Sequence, residues 1–349
     1  MNRKTYVEVN VNNIKENIKK LKEKYKDYKY HMAVVKADCY GHGIKILEEI
    51  IPLVNYLIVA TLEEALEIRN IYTDVPILCL GVVRKENIKI CIEKNITITI
   101  NSYTYLEDIV TEDIKGLKVH IKINTGMNRI GIKDKIDFMK THNHLKTKQV
   151  ELEGLFTHIY DASNIRRTND QLDRFQKITK EIDLTKIKMI HIFASDSLLK
   201  YPKLNFINGA RFGINMYGLG EEKLLSTFKV VSEVIQINEL RKNETVGYSG
   251  KYKAEEDTKV ATVAIGYADG IIRKYTGNNA YINNKKYQIV GNICMDMLFI
   301  KVDDDIKVGD KVEIIKDNDH IREIANMLDT ITYEIICNIT KRVPRIYIN

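Results

Sequence analysis

The sequence predicts an α/β protein, with a (β/α)8 TIM-type barrel followed by a C-terminal mostly-β domain. Two features of its 349 residues predict this fold. The first two-thirds of the chain alternates short apolar runs with polar stretches of helical period, and after about Glu222 strand-like runs separated by turn residues take over. The length suits a barrel-sized domain plus a second one, which we place at residues 1–222 and 223–349.

Eight apolar runs in the first domain predict eight strands. Between the second and third runs, Leu62, Ala65, Leu66 and Arg69 have helical spacing. Strands that alternate with helices form a parallel sheet with the helices outside it, and eight such units close economically into a barrel. A doubly wound open sheet is the alternative fold. The runs are residues 32–35, 56–60, 77–80, 96–100, 117–123, 152–156, 189–193 and 212–216.

The second domain is predicted from shorter runs. Asn283 and Asn284 stand between two of them and predict a hairpin turn. One stretch near residues 321–328 has a clear helical pattern. The strand-like runs are residues 228–237, 259–265, 280–282, 287–290 and 311–315.

Composition excludes several classes of protein. The 54 basic and 47 acidic residues give a net charge of +7, but the basic residues alternate with acids, so we expect no nucleic-acid partner. We also expect no membrane segment, because no apolar run approaches the roughly 18 residues that a span requires. The first residues lack the apolar core of a signal peptide. Five cysteines without metal-ligand spacing favour a reduced, cytoplasmic chain without structural zinc.

Lys36 directly follows the first apolar run, at the end where barrel enzymes place their chemistry. Desolvation at the rim of an apolar barrel disfavours the charged amine, and a neutral amine can condense with an aldehyde. A lysine that extends its charge into water at a strand end is the simpler interpretation of this residue alone.

Short motifs in one order along nearly the whole chain extend this hypothesis. The segment AVVKADCYGHG (residues 33–43) resembles the cofactor-binding signature of alanine racemases, a family that depends on pyridoxal 5'-phosphate (PLP) and has the type III fold. The other matching segments are KINTGMNRIG (122–131), FTH (156–158), RFGI (211–214), VGY (246–248), IGYADG (265–270), GNICMD (291–296) and RVPRIY (342–347).

The resemblance implies where the cofactor binds. Lys36 would carry PLP covalently, and the cofactor phosphate would be bound by a set of hydroxyl groups and backbone amides. Backbone amides at a turn are good anion donors, and glycine lets phosphate oxygens approach closely. Many relatives have asparagine where this chain has Ala194, which removes one polar group. The implied phosphate ligands are Tyr40, Ser195, the backbone of Gly213 and Ile214, and Tyr347.

Further roles follow from the same resemblance. Arg211 would donate to the pyridine nitrogen, which discourages its protonation, and His158 would hold Arg211 in place. Arg129 would lie near the cofactor phenolate and the substrate carboxylate, oriented by a carbamate on Lys122. The backbone N–H of Met295 would bind the substrate carboxylate. For His158 and Lys122 taken alone, the simpler interpretations are a structural histidine and a lysine paired with an acid.

Tyr248 is implied as the second base. Racemisation needs a proton-transfer group on each face of the planar carbanion, and Lys36 serves one face. A tyrosine is a weak base unless cations lower its pKa. In the family this tyrosine comes from the partner subunit, so the resemblance implies a homodimer with shared active sites.

The substrate is expected to be a small amino acid, with alanine favoured because the bulky Tyr347 would line the pocket. The segment HIFASD (191–196) and the pair Asp38-Cys39 resemble serine-racemase relatives instead, so a serine or broad-specificity racemase is an alternative. A PLP decarboxylase or aldolase is disfavoured by Arg211, and a non-catalytic PLP-binding protein by the second domain. The family's usual role is D-alanine supply for the cell wall; a spore or catabolic role stays open.

Overall fold

The computed structural model describes residues 3–221 and 223–349, which divide into two units by their contacts. The β unit comprises residues 3–16, 40–46, 217–221 and 223–349, and the barrel unit comprises residues 17–39 and 47–216. The first strand, β1 (Tyr6–Asn10), groups with the β unit because its pairing partners lie there, whereas we predicted it within residues 1–222. The predicted boundary falls at Glu222, which lies outside the described residues.

The barrel unit contains eight parallel strands that close in chain order. This confirms the predicted fold class, and seven of the eight apolar runs overlap a barrel strand over most of its length; in β5, for example, all five residues are buried. The strands are β2 (Tyr30–Val34), β3 (Tyr56–Val59), β4 (Ile77–Cys79), β5 (Ile96–Ile100), β6 (Lys118–Lys122), β7 (Glu151–Phe156), β8 (Met189–Ala194) and β9 (Gly209–Phe212).

The eighth barrel strand differs from the prediction of residues 212–216. It is β9, which ends at Phe212, and its register with β2 aligns Arg211 with Met32. Ile214 and Met216 follow in a turn and are buried there, so the apolar run continues where the strand does not. Arg211 is therefore inside the strand instead of opening it.

Helices connect the barrel strands. The predicted helix after β3 is Leu62–Ile71, and its first turn is closed by a capping box in which Thr61 Oγ1 accepts from the Glu64 N–H while the Glu64 carboxylate accepts from the Thr61 N–H. Within the described ranges, none of the helices has both the length and the apolar character needed to cross a bilayer. The right-handed α-helices from residue 11 to residue 200 are Val11–Lys24, Leu47–Ile50, Leu62–Ile71, Ile88–Glu93, Tyr103–Ile109, Lys135–Thr147, Ile165–Thr179 and Ser195–Lys200. One further helical segment, Lys36–Tyr40, is left-handed.

The β unit is built on antiparallel pairing. Strand β10 pairs with both β17 and β13, which closes six strands into a ring in the order β13-β16-β15-β14-β17-β10, while β1 pairs with β10 and β18. Strands β11 and β12 form a separate pair. The strands are β10 (Phe228–Leu240), β11 (Thr245–Val246), β12 (Tyr252–Lys253), β13 (Thr258–Val263), β14 (Asn279–Ile282), β15 (Lys285–Val290), β16 (Leu298–Val302), β17 (Lys311–Ile315) and β18 (Arg345–Ile348).

Local features of the β unit agree with the sequence in part. Asn283 and Asn284 have φ values of 51° and 64° between β14 and β15, as a two-residue hairpin turn requires, so the predicted hairpin is confirmed. The predicted helix is Asn318–Met327, but a second helix, Thr332–Cys337, follows it. Strands β16 and β18 were also not predicted.

Candidate active site

Lys36 begins a left-handed turn at the carboxyl end of β2. The Val35 N–H donates to the Ile58 carbonyl at 2.8 Å, and the next four residues after Lys36, Ala37 to Tyr40, have φ values of 53°, 52°, 54° and 54°. None of these four is glycine. A left-handed conformation costs such residues about 1–2 kcal/mol each. Surrounding contacts must therefore hold the turn in place, as is typical of functional sites.

Glu64 provides such a contact. Its Oε1 accepts from the Ala37 N–H at 2.7 Å, and its Oε2 accepts from the Ala60 N–H at 2.8 Å. One carboxylate thus connects the residues that follow two neighbouring barrel strands, β2 and β3. The sequence analysis predicted the helix from the spacing of its residues, but neither its cap nor this contact of Glu64.

Basic side chains lie near one another at the carboxyl ends of barrel strands further along the chain. Lys122, the last residue of β6, is only 5% exposed, and its Nζ lies 5.1 Å from the centre of the Phe156 ring. Burial and then the charges of Arg211 and Arg129 lower the pKa of Lys122 to about 7. A substantial fraction of this amine is therefore neutral and nucleophilic near neutral pH.

His158 follows β7 and is neutral in the same environment. Burial lowers its pKa to about 2, with further contributions from the charges of Arg211, Lys122, Arg129 and Lys36. The structure thus brings together five residues that the sequence predicted for the site, which are Lys36, Lys122, Arg129, His158 and Arg211. Arg129 lies in the loop after β6, where Asn124 Oδ1 accepts from the N–H groups of Gly126 and Asn128.

Arg211 is held by backbone carbonyls. Its Nη2 donates to the Thr157 carbonyl at 2.9 Å and to the Ile192 carbonyl, and its Nε donates to the Phe193 carbonyl at 3.4 Å. The side chain is 3% exposed. A guanidinium fixed in this way can present a donor but cannot accept a proton.

Ser195, Gly213 and Asn215 form a small polar group. The Gly213 N–H donates to Ser195 Oγ at 3.3 Å, and Ser195 Oγ donates to Asn215 Oδ1 at 3.0 Å. Asn215 is fully buried, and its Nδ2 has no hydrogen-bond partner among the described residues. A buried donor without an acceptor is costly, which indicates a site for an acceptor-rich ligand. Sequence analysis missed Asn215, although an asparagine within an apolar run was a signal.

In the β unit, Tyr40 begins the segment 40–46, and Tyr347 packs against the same segment at Gly43. The Tyr40 ring is 4.9 Å from the Tyr217 ring, and Tyr40 is 5% exposed. Gly43 has a φ of 90°, and a Cβ atom there would overlap the Tyr347 hydroxyl. Arg345 Nε donates to the Gly41 carbonyl at 2.9 Å, so the last strand is tied to this segment. The absence of a side chain at Gly43 therefore makes room for Tyr347.

Tyr248 and Met295 line one cavity of about 420 Å³ in the β unit. Tyr248 is 71% exposed and Met295 is 52% exposed. Tyr248 stands in a turn where Gly247 and Ser249 have φ values of 78° and 61°, and its carbonyl accepts from Asn292 Nδ2 at 2.8 Å. Two predicted residues that are 47 positions apart thus share one open surface.

Comparison with known proteins gives a consistent result along the chain. The family model of the alanine racemase N-terminal domain matches residues 9–221, and the family model of the alanine racemase C-terminal domain matches residues 227–347. The chain is 34% identical to alanine racemase 1 of Bacillus subtilis strain 168, over 99% of this chain and 93% of that protein. It is 36% identical to the alanine racemase of Halalkalibacterium halodurans, over 99% and 95% of the two chains.

Solved structures agree with these matches. The crystal structure of alanine racemase from Bacillus anthracis with bound L-Ala-P has a TM-score of 0.92 and 30% identity, and the alignment covers 99% of this chain and 95% of that one. The structure from E. faecalis has a TM-score of 0.93. The resemblance in the short motifs is thereby confirmed at the level of both domains. The chain belongs to the alanine racemase family.

Proposed function

We propose that this chain is a PLP-dependent racemase that interconverts L- and D-alanine, with Lys36 and Tyr248 as its two bases. The observation that carries the proposal is the buried guanidinium of Arg211, which is fixed by three backbone carbonyls in an environment that it shares with Lys122 and His158. The relatives named above are alanine racemases, and one of them binds L-Ala-P.

The residues of the barrel unit fit a phosphate-bearing cofactor. The unpartnered Asn215 Nδ2 stands in the same polar group as Ser195 Oγ and the Gly213 N–H, so these donors would meet acceptors when a phosphate dianion binds. The backbone of Ile214, which follows Gly213, is part of the same proposal. Tyr40 and Tyr347 are proposed as further phosphate ligands.

Arg211 decides between reaction types. When bound, PLP withdraws electrons from the α-carbon of the amino acid attached to it. In the proposed site Arg211 would donate a hydrogen bond to the pyridine nitrogen and would keep its own proton, which would disfavour protonation of this nitrogen and moderate the withdrawal. Burial keeps His158 neutral beside Arg211, so no second cation competes there. This favours return of a proton to the α-carbon over decarboxylation or transamination.

Lys36 and Tyr248 move protons on opposite faces of the α-carbon. Lys36 serves the D-substrate and Tyr248 the L-substrate, each accepting a proton in one direction and returning one in the other. Tyr248 is largely exposed in the β unit, which suits delivery to the site of a second subunit. We therefore propose a homodimer in which each Tyr248 completes the site of its partner.

The remaining site residues bind the substrate carboxylate. Arg129 would pair with it, and the Met295 N–H would donate to it. We propose that the neutral amine of Lys122 adds to carbon dioxide and releases one proton to solvent, which leaves an anionic carbamate that pairs with Arg129. We expect the bulky Tyr347 to limit the room for the substrate side chain, which favours alanine over serine as the substrate. Five free cysteines accord with a reducing compartment, and we propose a cytoplasmic location.

Covalent labelling tests the proposal. Protein incubated with PLP and reduced with borohydride should carry the cofactor on the peptide that contains Lys36, and Lys36→Ala should lose both the label and L-alanine racemisation. Lys118→Ala is the control: Lys118 is the first residue of strand β6, at the end opposite to Lys122, and its replacement should leave both the label and the racemisation intact. Label on any other lysine, or racemisation that survives Lys36→Ala, would refute the assignment.

A further inference from the structure

We propose that Glu64 is a positioning residue that holds the backbone of the Lys36 turn in the conformation from which Lys36 captures its cofactor. The inference rests on the proposed function, because it concerns Lys36 as the residue that binds PLP. It adds a residue that takes no part in the motifs and that contacts neither the cofactor nor the substrate in the proposed scheme.

The Lys36 turn needs support from outside. Its four residues with positive φ include no glycine, and within the turn the Cys39 N–H donates to the Val35 carbonyl at 3.0 Å. The Ala37 N–H, directly after Lys36, instead leaves the turn and donates to Glu64 Oε1 at 2.7 Å. Glu64 therefore contacts the first peptide unit that follows Lys36.

A carboxylate suits this position better than an amide. Glu64 accepts from the N–H groups of Ala37, Ala60 and Thr61, at 2.7, 2.8 and 3.3 Å, and uses both of its oxygens. Glutamine has one oxygen, so it cannot serve the Ala37 and Ala60 donors from separate acceptors. Hydrogen bonds to an ionised acceptor are also stronger than those between neutral groups.

The alternative is that Glu64 merely caps the helix Leu62–Ile71. Thr61 offers a matched control, because its hydroxyl accepts from the Glu64 N–H in the same capping box. Thr61→Ala removes that half of the cap and leaves the carboxylate free to bind Ala37. A capping role predicts that Glu64→Gln affects PLP capture no more than Thr61→Ala does, because glutamine can replace glutamate in a capping box, whereas a positioning role predicts a larger effect of Glu64→Gln.

The experiment compares PLP capture by three cofactor-free proteins. Wild type, Glu64→Gln and Thr61→Ala are mixed with PLP, and the affinity and the rate of covalent attachment to Lys36 are followed by the absorbance of the adduct and by peptide mass after reduction. Glu64→Gln should weaken capture roughly tenfold or more, which is the size expected for a lost charged hydrogen bond. Thr61→Ala should change PLP capture less than about twofold, although the lost helix cap should lower the melting temperature of that protein.

Asp38→Gly supplies a second arm. Glycine adopts the left-handed conformation at little cost, so Asp38→Gly should restore PLP capture in the Glu64→Gln protein. The change in melting temperature that Asp38→Gly causes should be the same in the Glu64→Gln protein as in wild type. No recovery would overturn the positioning role.

A third measurement needs no variant. In wild-type protein, hydrogen exchange at the Ala37 amide should be slower than at the exposed amides near it; exchange at an unprotected rate would overturn the proposal. Failure of the proposed function is separately visible, since wild type would then not attach PLP to Lys36. Attachment in wild type with equal effects of Glu64→Gln and Thr61→Ala would refute this inference alone.

Discussion

Replacing Lys122 with methionine should remove a pH dependence of stability that burial imposes on the native protein. In the unfolded chain the amine keeps its proton up to about pH 10.5, the usual value, whereas in the native protein its pKa is about 7. Between these two values the unfolded state binds more protons, so the contribution of Lys122 to stability rises with pH. It is complete above pH 10.5 and is lost as the pH falls to about 7.

The size of this effect follows from the same two values. At about 1.4 kcal/mol for each tenfold change, the free energy of unfolding of wild type relative to Lys122→Met should rise by about 4 kcal/mol between pH 7 and pH 10.5. Lys122 is 5% exposed, so solvent screens it little. Other groups titrate in this range, but they are common to both proteins and cancel in the difference.

Denaturant unfolding of the cofactor-free proteins at pH 7, 8, 9 and 10 measures this difference, with Lys118→Met as the control on the same strand. A difference that stays flat from pH 7 to 10 would refute the account of Lys122. With labelled bicarbonate at pH 8, wild type should show a carbamate carbonyl resonance and gain stability, because an anionic carbamate then replaces an amine near the positive charges of Arg211 and Arg129. Lys122→Met should do neither.

Three further predictions concern the cofactor and substrate sites. Arg211→Glu should favour a protonated pyridine nitrogen, so product analysis should show slower racemisation and a larger share of transamination; unchanged partitioning would contradict the role of Arg211. Gly43→Ala should weaken PLP binding roughly tenfold by crowding the Tyr347 hydroxyl, and the loss measured by titration should shrink in a Tyr347→Phe background; an equal loss in both would contradict the overlap. Because Tyr347 would crowd a larger side chain, L-alanine should have a kcat/KM at least about tenfold above that of L-serine, and comparable values would refute the alanine preference.

The barrel was predictable from sequence because each of its strands is buried and short. Where burial and strand formation separate, the prediction failed: Ile214 and Met216 are buried in a turn, which shifted the eighth strand. The composition of β18 offered no such signal, since all four of its residues are only partly buried. Pairing with β1, far away in sequence, defines it as a strand.

The candidate site was predictable as far as its residues carry motifs. Lys122 and His158 lie at or just after the carboxyl ends of barrel strands, as the sequence predicted, whereas Arg211 lies inside β9 and not directly before the eighth strand. The left-handed turn after Lys36 was not predictable, because three of its four residues at positive φ, Ala37, Cys39 and Tyr40, are of types that rarely adopt it. The contacts of Glu64 with Ala37 and of Asn215 with Ser195 depend on tertiary structure, although Asn215 stands out in the sequence as a polar residue within an apolar run.

Activity in mixtures of two inactive variants tests the central claim, that Lys36 and Tyr248 act together across a subunit boundary. Lys36→Ala lacks one base, and Tyr248→Phe keeps the ring but lacks the hydroxyl, so it should lose roughly 10²–10⁴-fold in racemisation. If a dimer shares its sites, each mixed dimer holds one intact site, and random exchange should restore about a quarter of the wild-type alanine racemisation. No recovery, in a mixture whose subunit exchange is proven by mass-tagged protomers, would contradict the claim.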